Sequence, residues 1–87
     1  MLIGLLLQAQ KNYTVKVTDS KTRNPITNAS VNIKSTSKGA VTNTSGSAVV
    51  QALPGDVLEI TSIGYASQNV TLSAQTSVSV VLESTSI

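Results

Sequence analysis

The chain has 87 residues, a net charge of +2, and neither cysteine nor histidine. That length fits one domain, and the composition excludes disulfides, thiolate metal sites and the commonest general base. The six basic residues (Lys11, Lys16, Lys21, Arg23, Lys34, Lys38) are spaced singly without aromatic neighbours, which describes a solvated face and not a nucleic-acid-binding stripe.

Residues 1–10, "MLIGLLLQAQ", differ from all that follows. An apolar run, Leu2–Leu7, is broken only by Gly4 and leads into Ala9 and polar sequence. This reads as a truncated signal-peptide remnant with a cleavage zone near Ala9 or Gln10, and it implies an exported protein. The run is too short to span a bilayer. A buried first strand is the competing reading of so short an apolar stretch.

From residue 11 onward the chain is rich in Val, Ile, Thr and Ser, and short alternating segments recur between turn signals. Tyr13–Thr18 predicts a strand with Tyr13, Val15 and Val17 inward and Lys16 outward. A ten-residue connection carrying Pro25 precedes Ala29–Lys34, whose inward residues are Ala29, Val31 and Ile33. Gly39–Thr42 follows a Ser-rich bend, and the turn Asn43–Gly46 leads into Ser47–Ala52. Pro54-Gly55 marks the next turn. After it come Asp56–Ser62, Ser67–Leu72 and Thr76–Glu83, the last with Val78, Val80 and Leu82 inward. Seven such strands at this spacing predict an all-β, Greek-key β-sandwich over residues 11–83, with 84–87 as a linker tail.

Tyr65 breaks the alternation. With Leu58 and Ile60 inward, strict period 2 puts Tyr65 on the solvent face beside Glu59, although it is one of only two aromatic residues in the chain. Gly64 offers a resolution. A bulge or corner at Ile63–Gly64 resets the parity and lets Tyr65 cap one end of the core, with its hydroxyl at the rim. Gly46, Pro54, Gly55, Gly64 and Tyr65 are therefore the expected structural positions.

No catalytic, cofactor-binding or metal-binding residue is expected. "STSK" (Ser35–Lys38) fits the S-x-x-K pattern of serine enzymes, but it sits in a bend without their partner motifs. Four N-x-[ST] sequons follow from the Ser/Thr-rich composition. A Lys–Asn isopeptide staple needs core-facing partners, whereas Lys16 and Glu59 alternate outward.

In order along the chain, "VTDSKTRNPITNASVNIKSTSKGAVTNTSG", "LPGDVLEITSIGYASQNVTL" and "SVSVVLE" resemble the carboxypeptidase regulatory-like domain. This is a transthyretin-like or immunoglobulin-like β-sandwich, and the resemblance covers residues 12–83. More narrowly, it is similar to the copy at the N-terminus of SusC-like TonB-dependent outer-membrane transporters of Bacteroidetes. There are departures from the pattern. Asn24 and Asn28 stand for two turn glycines, Thr27 for a proline and Ser35 for a glycine. Asn43 stands for an Asp, and Ala48 sits where an aromatic is usual. The resemblance implies a non-catalytic periplasmic module of a glycan or peptide importer. It needs no cofactor and works by contact with a protein partner, either the rest of the transporter or another periplasmic protein, through a sheet edge that accepts a strand. It points to no nucleic acid and no small-molecule substrate. The alternative is a secreted or surface sandwich that binds carbohydrate or acts as a spacer.

Overall fold

The computed structural model describes residues 10–85. The expected signal segment lies outside the described residues except for Gln10, which is exposed. Seven strands occur among the described residues: β1 (Lys11–Asp19), β2 (Ser30–Ile33), β3 (Gly39–Val41), β4 (Ser47–Ala52), β5 (Val57–Thr61), β6 (Gln68–Thr71) and β7 (Ser77–Leu82). Each falls within two residues of the span read from its alternation. They form two sheets, β4-β1-β7 and β3-β2-β5-β6, so the chain is an all-β sandwich. The connections β1→β2, β3→β4, β4→β5 and β6→β7 all cross between sheets, and β4 returns beside β1 in Greek-key fashion. β1 and β7, the first and last strands, pair in parallel, whereas every other strand pairing is antiparallel.

Period 2 decides the core. On β1, Tyr13, Val15 and Val17 are fully buried while Asn12, Thr14 and Lys16 face water. Val31 and Ile33 of β2, Ala48, Val50 and Ala52 of β4, Leu58 and Ile60 of β5, and Val80 and Leu82 of β7 complete the two inner faces. One polar side chain lies among them. The Thr42 hydroxyl donates to the Ile26 carbonyl at 2.6 Å and accepts from the Ala29 amide at 2.8 Å. The Asn28 amide also donates to the Thr42 carbonyl at 2.9 Å. This buried hydroxyl satisfies loop groups that have no sheet partner.

Turn chemistry sets the corners. Leu53–Asp56 closes through the Asp56 amide to the Leu53 carbonyl at 3.0 Å, with Pro54 second and Gly55 (φ 95°) third. That is a type II arrangement. In Asn43–Gly46, the Asn43 Oδ1 accepts from the amides of Ser45 (2.9 Å) and Ser47 (3.1 Å), so it supplies the acceptor an Asp would provide. Gly46 cannot be anything else. Its φ is 75°, and a Cβ there would lie 2.7 Å from both Pro25 Cβ and the Val17 carbonyl.

In the β1–β2 loop, positive φ falls on Arg23 (64°) and on Asn28 (64°), the latter at one of the family's turn-glycine positions. The reason is a tight closure: the Arg23 amide donates to the Asp19 carbonyl, and the Asp19 amide to the Asn24 carbonyl, both at 2.9 Å. This leaves Arg23 at the reversal. In the β2–β3 bend the left-handed residue is Ser37 (φ 60°). The amides of Thr36 and Ser37 both turn back to the Ile33 carbonyl there. Pairing also runs past Glu83, since Ser84 bridges Tyr65 and the Thr85 amide donates to the Gly64 carbonyl at 2.9 Å.

Candidate functional site

The most heavily bonded acid lies where β1 ends. Asp19 leaves the sheet with its Oδ1 accepting from the amides of Lys21 (2.7 Å) and Thr22 (3.0 Å). This is an Asx-type turn, in which a short carboxylate stands in for backbone acceptors. The other oxygen, Oδ2, accepts from the Tyr65 hydroxyl at 2.6 Å.

Tyr65 reaches this carboxylate because of the turn before it. The Tyr65 amide donates to the Ser62 carbonyl at 3.1 Å, closing Ser62–Tyr65 with Gly64 at φ 86° in the third position. The corner at Ile63–Gly64 is thus a β-turn and not a bulge. It leaves Ile63 fully exposed and swings Tyr65 to a half-buried position against the core. A Cβ on Gly64 would meet nothing within 4 Å, so backbone conformation alone selects glycine there.

The electrostatics follow from this geometry. The Tyr65 hydrogen bond, then the Thr22 and Lys21 amides, lower the Asp19 carboxyl from 3.8 to about 2. The same hydrogen bond, reinforced by partial burial and by the carboxylate charge, raises the Tyr65 phenol above its ordinary value. An acid this strongly held in its ionised form is a poor proton acceptor at neutral pH. The pair therefore works as a clamp that ties the end of β1 to the β5–β6 turn.

The other residues weighed for chemistry lie apart. Ser35 and Lys38 are exposed in the β2–β3 bend. A cleft of about 210 Å³ includes Lys38, Thr36, Gln10 and Gln51 but no acid. Asp56 is bound by its own turn, its Oδ2 accepting from the Leu53 amide at 2.9 Å. Lys16 is exposed and Glu59 half-buried, and they lie on strands of opposite sheets. Among the described residues there is no group of three or more acids that could hold a metal. Both tyrosines are already engaged, because the buried Tyr13 donates its hydroxyl to the Ser73 carbonyl at 2.6 Å.

Asp19 and Thr42 are the structural residues that the alternation did not single out. The signal for Asp19 was an acid at a strand end followed three residues later by a threonine. For Thr42 it was a threonine falling at an inward position.

The described residues form a two-sheet, seven-stranded β-sandwich module whose hydrogen-bonded acids and tyrosines sit at loops and corners. The chain belongs to the CarboxypepD_reg-like domain family, whose model matches residues 14–87. That family is of a regulatory and interaction type, not a catalytic one. Among solved structures, the Bacillus anthracis TIE protein is similar, with a TM-score of 0.55 and 12% identity over 88% of this chain. The chain spans 17% of that protein's length, and the likeness concerns fold alone. No curated protein matches.

Proposed function

We propose that this chain is a non-catalytic periplasmic interaction module of a SusC-like TonB-dependent importer of glycans or peptides. The importer context rests on the sequence resemblance over residues 12–83, and one observation supports the non-catalytic part: the residues at the family-like positions are spent on architecture. Asp19 and Tyr65 clamp a corner, Thr42 satisfies a buried loop, and Gly46 fits where a side chain would clash. Among the described residues no nucleophile stands beside a base, which supports a module that acts by contact. The second reading, carbohydrate binding, lacks an aromatic platform, because the two tyrosines are the only aromatic residues and both pack inward.

The gene downstream of the Ile87 codon provides the test. An open frame that continues into a plug and barrel supports the importer reading, and a stop codon there favours the secreted module. The purified chain is expected to be inert toward peptides, esters and glycosides. Turnover that disappears in Lys38→Ala or Asp56→Asn would overturn the contact-only reading.

A further inference from the structure

Each sheet of a sandwich ends in edge strands whose outward N–H and C=O groups have no ladder partner, and proteins guard such edges against other chains. The four edges here are guarded unequally. β3 is only three residues long. β6 has four residues. β4 runs beside β3, to which the Asn43–Gly46 turn joins it. β7 has six residues, "SVSVVL", with neither charge nor proline.

The register shows which groups of β7 are open. The Thr14 amide donates to Thr76 and the Ser20 amide to Leu82, so even-numbered residues of this strand turn their peptide groups toward β1. Odd-numbered residues turn theirs away, as the Glu83 carbonyl does in accepting from the Ala66 amide at 2.9 Å. The Gly64–Ala66 segment therefore covers the edge only beyond Leu82. Ser77, Ser79 and Val81 present their N–H and C=O groups outward, with no strand beside them among the described residues.

We propose that β7 pairs with β7 of a second copy of this chain, antiparallel about a two-fold axis at Ser79, joining two three-stranded sheets into one of six strands. The edge is complementary to itself. Ser79 faces Ser79 of the partner subunit, and Ser77 faces the partner's Val81, so the three outward N–H groups of each copy meet three carbonyls. Side chains fit as well as backbone. Val78 is only half-buried at the open side of the core. In this register the partner's Val80 lies opposite it and supplies the missing apolar neighbour. No charge stands on the strand, so no like-charge pair opposes the two-fold arrangement. A single strand pair buries less than a standard interface, so the dimer is weak and concentration-dependent. The inference stands independently of any importer.

The test is sedimentation equilibrium of the full chain from about 10 μM to about 1 mM, a range that covers weak association. Wild type is expected to shift from monomer to dimer across it. Ser79→Pro removes the central outward N–H without touching the β1 ladder, and Ser79→Lys sets two like charges face to face. Both are expected to stay monomeric while keeping the wild-type circular dichroism. Hydrogen exchange on wild type serves as an independent measurement, in which the amides of Ser77, Ser79 and Val81 gain protection as concentration rises. Wild type that remains monomeric throughout would overturn the proposal, as would a dimer that persists in both variants, or exchange at those amides that ignores concentration.

Discussion

The two tyrosines do the same thing by opposite means. Each donates a 2.6 Å hydrogen bond to a segment far away in sequence, Tyr13 to the Ser73 carbonyl and Tyr65 to the Asp19 carboxylate. Tyr13 sits inside a regular strand and is wholly buried, so its ring holds the core together and its hydroxyl satisfies one loop carbonyl. Tyr65 sits outside any strand and is half-buried, so its contribution is dominated by a charge-assisted bond that positions a corner. One end of the sandwich is thus secured by burial and the other by electrostatics. The two ends should respond differently to truncation and to pH.

Truncating the buried ring is expected to have the largest effect. Tyr13→Ala should cost about 3–5 kcal/mol, comparable to the whole stability of a domain this small, and leave the chain largely unfolded by circular dichroism. Tyr65→Ala should melt lower than wild type but remain folded. A Tyr65→Ala variant as damaged as Tyr13→Ala would erase the distinction between the two ends.

The glycines sharpen the same contrast between packed and open corners. Gly46→Ala combines left-handed strain of about 1–2 kcal/mol with overpacking of about 1–3 kcal/mol against Pro25 and Val17. Gly64→Ala carries the strain alone. Urea midpoints of the two variants should differ accordingly, and equal losses would show that the Gly46 corner yields.

Thr42→Val keeps the shape of the side chain and removes its bonds to Ile26 and Ala29. A loss of about 1–3 kcal/mol is expected, because two buried backbone groups are left unpaired. A neutral result would mean that water reaches the site.

The charged corner should reveal itself through pH. The Asp19 carboxyl is held near 2 in the folded chain, below its ordinary 3.8. Its contribution is therefore fully present above about pH 4 and is lost as pH falls toward 2. Tyr65→Phe removes the largest cause of that shift, so the stability gap between wild type and variant should close across this acid window. At the alkaline end the sign reverses. The Tyr65 phenol is raised in the folded state, so its share is present below pH 10 and lost as pH rises past that folded value. A gap that stays constant with pH would show that the hydroxyl serves packing only. The smallest effect belongs to Ile63, which is fully exposed at the tip of its turn. Ile63→Ser should leave the melting temperature unchanged in a thermal scan.

What the sequence by itself determined was local. Period-2 alternation placed the seven strands and chose Tyr13, Val15, Val17, Leu58 and Ile60 for the interior, because a strand must show alternate residues to opposite faces. Turn chemistry at Asn43–Gly46 and Pro54-Gly55 placed the reversals, and the parity conflict at Gly64-Tyr65 was visible as a conflict. What only the tertiary structure decided was every partnership between distant segments. Asp19, an acid at a strand end, gained its partner only when folding brought it onto Tyr65, 46 residues away. The inward position of Thr42 was a local signal, but the loop groups it satisfies, at Ile26 and Ala29, were not legible before folding. The parallel pairing of β1 with β7, and the row of peptide groups left open on the far side of β7, follow from how two sheets close over one core. The reason is physical: alternation and turns depend on a few neighbouring dihedral angles, whereas register, edge exposure and a carboxylate's partner depend on which surfaces the whole chain must bury.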